Sequence, residues 1–165
     1  MTNVGVLDVA KYILSTSDES MTTMKLQKLV YYCQAWHVTW TGEGLFTEST
    51  RAWANGPVVR ELFNLHRGRY AVCADELTGG DAAALTVDQR AVVDSVLATY
   101  GSMTGSQLSV LTHAENPWQT ARGKSTNGSS SDVVITLDSM QKFYAGLSRH
   151  GGVSSADQVN FPVWA

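Results

Sequence analysis

The chain has 165 residues, of which 44% are apolar and 16% charged, and a net charge of −3. That length suffices for one domain with a sizeable core, and the negative balance gives no general attraction for nucleic acid. Met1–Ala10 has no basic region followed by a long apolar run, and Cys33 and Cys73 have no metal-type spacing, so a reduced, cytoplasmic protein without a leader is expected.

In chain order, Val6–Leu14 reads as a short helix with Val6, Leu7, Ala10, Ile13 and Leu14 on one face and Asn3 as a candidate cap. The stretch Thr22–Trp40 dominates the rest. Leu26, Leu29, Val30, Cys33, Trp36 and Trp40 recur at helical spacing, and Tyr31, Tyr32, Ala35 and Val38 extend the apolar surface. Its polar stripe is narrow: Lys25, Lys28 and Thr39, with Gln27 and Gln34 beside it. A helix that is apolar on most of its circumference must be covered on most sides, while its lysines and glutamines argue against lipid. Thr22 or Thr23 supplies its N-cap hydroxyl.

After a glycine-containing turn, Leu45–Phe46 and Thr50–Trp53 read as two short strands. Asn55-Gly56-Pro57 follows. A proline at the first helical position needs no N–H, so Pro57 is expected to open a helix to His66, with Gly68 ending it and Gly56 holding a special backbone conformation. Tyr70–Cys73 suggests a strand and Thr78–Asp81 a turn. Thr86 with Gln89, and Thr104 with Gln107, form capping-box patterns that open two further helices, the first stopped by Gly101. Pro117 marks another helix entry. Gly123–Asp132 reads as a loop, Val133–Ile135 as a strand, and Thr136 as the cap of a last helix through Leu137, Met140, Tyr144 and Leu147. The expected fold is mainly α: a compact single-domain bundle around a central buried helix (about 22–40), with a small β element near 45–55. The domain spans 1–147. A tail, 148–165, lacks a helical period and ends in the apolar run Phe161-Pro-Val-Trp164.

Chemistry-bearing residues are sparse. His113 and Glu115, with Cys33, His37 and His66, are the one group to weigh, and a metal site needs three or four converging ligands. An i, i+2 pair such as His113 and Glu115 points apart on a helix. His113 is better placed near a helix C-terminus, capping carbonyls. Cys33 lies among Val30, Tyr32, Trp36 and His37, which suggests burial rather than a reactive thiol. No phosphate-binding glycine loop is present. No catalytic, metal or cofactor site is therefore expected. The residues that suit a partner surface are Arg51, Trp53, Asn55, Arg60, Arg67 and Arg69. They fall before, in and after the expected Pro57 helix and combine the usual anchor types, tryptophan and arginine. The tail is the rival contact.

Three stretches carry a family resemblance: Lys25-Leu-Gln-Lys-Leu-Val-Tyr-Tyr-Cys-Gln-Ala-Trp-His37, Ala52-Trp-Ala-Asn-Gly-Pro-Val-Val59 and Leu111-Thr-His-Ala-Glu-Asn-Pro-Trp118. Their order and spacing resemble the Panacea, or SocA-like, antitoxin domain, over roughly residues 6–147. Gly56, Pro57, His113, Pro117 and Trp118 are the positions that carry the motifs. The resemblance implies a mainly α-helical, non-catalytic antitoxin of bacterial or phage type, usually encoded beside a toxin and neutralising it by direct binding. It implies a cognate protein toxin as partner, no membrane, and leaves a homo-oligomer open. Two alternatives stand beside it: a DNA-binding regulator of its own operon, against which the short basic cluster and the lack of a recognition helix weigh, and an adaptor delivering a partner to a protease.

Overall fold

The computed structural model describes residues 4–123 and 132–151. In chain order the elements are α1 (Val6–Ser15), β1 (Met21–Thr22), α2 (Thr23–Thr41), β2 (Thr50–Trp53), β3 (Gly56–Val59), α3 (Arg60–His66), β4 (Ala71–Val72), α4 (Val87–Tyr100), α5 (Gly105–His113), α6 (Asn116–Arg122), β5 (Val134–Ile135) and α7 (Leu137–Gly151), with short 3-10 turns at Ala74–Glu76 and Ala82–Ala84. The fold is mainly α. No helix among the described residues is long and apolar enough to cross a membrane.

Every residue of α2 from Leu26 to Val38 is buried, so the central helix is covered on all sides. The Thr22 hydroxyl accepts from the Lys25 amide at 3.2 Å and starts it; Gly42, at φ 82°, ends it in the left-handed conformation. Its neighbours are α7, α5, α4 and α1, which bury Met140 and Tyr144, Leu108 and Leu111, Val93 and Val96, and Val9 and Ile13 against it. Both expected capping boxes are formed. Thr86 Oγ1 accepts from the Gln89 amide at 3.1 Å while Gln89 Oε1 accepts from the Thr86 amide at 2.8 Å, and Thr104 and Gln107 repeat the pair at 3.1 and 2.8 Å.

Two antiparallel sheets flank the bundle. One pairs β1 with β4; the other has the order β3-β2-β5, with Thr50 opposite Val59 and Trp53 opposite Gly56. Here the structure corrects the expectation for Pro57. It lies inside β3, opposite Ala52, and the helix begins only at Arg60. A proline suits this place because β3 is an edge strand, where a missing N–H leaves no central ladder bond unmade. Leu45–Phe46 is also not a strand. Its amides instead donate to Gln34 Oε1 on α2, at 2.6 and 3.3 Å, and Gln34 Nε2 donates to the Phe46 carbonyl at 2.8 Å. Helix α7 runs to Gly151, past the Leu147 at which its period was read to stop. Three expectations lie outside the described residues: the Asn3 cap, the loop segment 124–131, and the tail 152–165 with its apolar run Phe161–Trp164.

The centre of the bundle holds a carboxylate. Glu115, 4% exposed, accepts from the Tyr32 and Tyr144 hydroxyls, each at 2.7 Å. Tyr31 bonds Tyr144 at 3.1 Å, the Tyr32 and Tyr100 rings stack at 4.0 Å, and the Trp36 indole donates to the Tyr100 hydroxyl at 3.0 Å. These bonds tie α2, α4, α7 and the α5–α6 junction through one buried network, in which each member satisfies another. Burial pushes the Glu115 carboxyl up to about 7, although the two tyrosine hydroxyls favour its anion.

A carboxyl whose folded pKa is raised adds stability fully below its unfolded pKa, and that contribution is lost as pH rises through the folded value. Melting temperature is therefore expected to fall between about pH 4.5 and pH 7 through Glu115. The Glu115→Gln variant, which keeps an acceptor for the tyrosines and cannot ionise, should show a shallower fall by calorimetry. An identical slope in parent and variant would place the pH dependence elsewhere.

Candidate partner-binding site

The β2–β3 hairpin turns at Ala54–Asn55 and carries four successive carbonyls, those of Ala52, Trp53, Ala54 and Asn55. Helical side chains reach each of them. Arg122 Nη1 donates to Ala52 O at 3.1 Å, the Trp118 indole to Trp53 O at 2.9 Å, and the Ser109 hydroxyl to Asn55 O at 2.6 Å; His113 Nε2 lies 2.7 Å from Ala54 O. His113 closes a second contact, from Nδ1 to Ser109 O at 2.5 Å, and packs edge-on against Trp118, over which Arg122 stacks. His113 is the last residue of α5, as expected of a capping histidine, yet its other nitrogen serves the hairpin. Pro117 is buried in the first turn of α6 and sets the direction from which Trp118 approaches.

Helix α2 holds the other strand. Gln27 acts as a substitute strand: its Oε1 accepts from the Val59 amide at 2.9 Å, and its Nε2 donates to Val59 O at 3.2 Å and to His66 Nε2 at 2.9 Å. Lys28 Nζ donates to Pro57 O at 3.2 Å. Gly56 makes that approach possible. Its φ is 116°, and a Cβ there would sit 2.6 Å from Lys28 Cε and 3.0 Å from Thr112 Oγ1. The three motifs of the sequence thus meet at one place: α2 and α5–α6 grip the hairpin from two sides.

On the outer side of the hairpin lies a cleft of about 650 Å³, bounded by the start of α2, the hairpin turn and α3. Met24, Val58, Trp53 and Phe63 form its apolar wall, Gln27, Lys28 and His66 its polar one. Trp53 packs edge-on against Phe63 with ring centroids 4.9 Å apart. Asp132 stands at the rim and gathers three groups: the Trp53 indole at 3.0 Å, Arg60 at 2.5 Å and Arg51 at 3.8 Å. The indole bond, then the arginines, hold its carboxyl below the usual range.

Of the residues singled out in the sequence, Trp53, Asn55 and Arg60 line the cleft, and Arg51 joins them through Asp132. Arg67 lies over the Phe63 ring, 5.8 Å from its centre. Arg69 turns away to pair with Glu76 at 2.7 Å. Lys28, Gln27, Phe63 and Asp132 were not picked out, and His66 was weighed among the metal or catalytic candidates. Lys28 offered a signal, a lysine within a nearly all-round apolar helix, but it was read only as part of the narrow polar stripe. Only 1% of it is exposed. Burial brings its ammonium down to about 7, and burial also lowers the His66 ring, with Lys28 nearby adding to that. Elsewhere, Cys33 is buried and its thiol pushed up by desolvation, and His37 Nδ1 meets Glu43 O at 2.7 Å. Among the described residues no three His, Cys, Asp or Glu side chains converge in a manner that would hold a metal.

The model of the family described as antitoxin SocA-like, Panacea domain, matches residues 26–119, more than half of the chain. The chain belongs to the Panacea-domain family. The matched span of this Panacea domain includes α2 from Leu26 onward, the hairpin, α3, α4, and α5 through Trp118, so it contains both grips on the hairpin, apart from Arg122, and most of the cleft. Arg122 and Asp132 lie beyond it. No match was found among curated proteins, and none among solved structures.

The Gly56→Val variant is expected to lose on the order of 3 kcal/mol, from a strained backbone and from displacement of Lys28. Urea unfolding measures this. Stability equal to the parent would show that the close approach of Gly56 and Lys28 is not formed.

Proposed function

We propose that the protein is a non-enzymatic antitoxin that neutralises a protein toxin by direct, stoichiometric binding, with the face around the hairpin and α3 as the contact surface. The membership of the Panacea family supports the antitoxin role and a protein partner. The observation that carries the choice of surface is the grip on the hairpin. Side chains from α2, α5 and α6 hold its backbone, leaving Trp53, Asn55 and Arg60 on a rigid support at the edge of an open cleft. Rigid presentation lowers the ordering cost of binding, and tryptophan and arginine are the usual anchors of protein interfaces. Arg51 and Arg67 extend the same face; Arg69, paired with Glu76, lies outside its core.

Trp53 is the expected centre of the contact, because it presents a half-buried ring backed by Phe63 and keyed by Asp132. Binding is expected to cover the toxin's working surface or hold it in an inactive shape. The reading frame adjacent to this gene supplies the test. Expressed alone it should arrest growth, and co-expression of this protein should relieve the arrest through a purifiable complex. The Trp53→Ala/Arg60→Ala variant, checked for a parent-like circular dichroism spectrum, should weaken that complex by about 3 kcal/mol or more, some hundredfold. A folded variant that binds and protects like the parent would move the contact away from this face. Protection that needs a cellular protease would favour the adaptor role instead.

A further inference from the structure

We infer that the cleft is the seat of an acidic side chain, Asp or Glu, from the partner protein, received by Lys28. The inference rests on the reading of this face as the toxin contact.

Four observations lead there. Lys28 is almost wholly buried in the wall of the cleft, yet its ammonium, with three N–H donors, has only the Pro57 carbonyl as a hydrogen-bond partner among the described residues. No carboxylate among the described residues lies within ion-pair distance of it; Asp132 is taken by Arg60, Arg51 and Trp53. A buried cation without a counter-charge costs the fold stability, and a carbonyl could be satisfied by a neutral donor, as Gln27 does one residue away. Finally, the charged residues lining the cleft are Lys28, Arg60 and Asp132, two cations to one carboxylate, in a chain whose net charge is −3. The local excess of positive charge matches an acidic partner group, and the wall of Met24, Val58, Trp53 and Phe63 suits the apolar stem that carries it.

The same arrangement predicts how binding responds to pH. Around Lys28 stand His66 on α3, Arg60 at the rim, Asp132 from the segment before β5, and Thr112 and Gly56, which are not titratable. The acid of Asp132 and the ring of His66 are both shifted down, away from the window that concerns Lys28. A carboxylate arriving beside Lys28 favours its charged form, so the complex takes up a proton wherever the free protein has lost it. Glu115 titrates in the same range from the core, so the comparison must be made against a variant that leaves Glu115 in place.

The test measures the dissociation constant of the complex with the adjacent-frame toxin at pH 6.5 and pH 8.5, for the parent and for Lys28→Met. The parent should bind roughly twentyfold more weakly at the higher pH. Lys28→Met, with Glu115 intact, should bind more than tenfold more weakly than the parent at pH 6.5 and lose most of the pH dependence. If that variant fails to fold, Lys28→Gln serves in its place, read against the parent in the same way. A folded Lys28 variant with parent affinity at pH 6.5 overturns the inference while leaving the antitoxin role standing, as does a parent whose affinity does not change with pH. No complex with the parent at either pH removes the antitoxin role itself, and the inference with it.

Discussion

A short hairpin cannot satisfy its own backbone, and the architecture follows from how its polar groups find partners. Two strands of four residues are marginal alone in water. Here β5 pairs with one side, and side chains of the helices take the rest: Gln27 and Lys28 from α2, Ser109 and His113 from α5, Trp118 and Arg122 from α6. A buried carbonyl or amide left unpaired costs about 1–3 kcal/mol, so these bonds make the hairpin part of the core rather than an appendage to it. Gly56 is the geometric condition of the arrangement, because any side chain there collides with Lys28.

The glutamines of α2 show the same principle twice. Gln27 completes the edge of β3, and Gln34 does the equivalent for the irregular segment Leu45–Phe46. In each case one carboxamide offers a donor and an acceptor, as a neighbouring strand would. Below them, the tyrosines around Glu115 lock the helices to one another. A helix that is buried from Leu26 to Val38 can carry polar residues only where each has a partner, and Lys28 is the one whose hydrogen-bonding capacity is least used.

Local signals made much of the fold legible in the sequence. The central helix shows in its period, Thr22 is one of the two threonines expected to cap it, and Thr86 and Thr104 cap as their spacing with Gln89 and Gln107 indicates. Pro57 shows where local reading fails. Its fixed φ suits both a first helical turn and an edge strand, and the choice was made by distant residues, Ala52 across the sheet and Lys28 from α2. The site divides the same way. Trp53 and Arg60 were found by residue type, whereas Asp132, which brings them together, and Lys28, which lies behind them, owe their roles to contacts far apart in sequence.

The central claim is that the hairpin is held as firmly as the helix behind it. Native-state amide hydrogen exchange tests this at the Val59 amide, whose acceptor is the Gln27 side chain, against the amides of Leu29–Cys33 on α2. If the hairpin is integral to the core, Val59 exchanges only through global unfolding, with the same opening free energy and denaturant dependence as α2. An opening free energy for Val59 several kcal/mol below that of α2 would show a hairpin that detaches while the bundle stays folded, and would contradict the account.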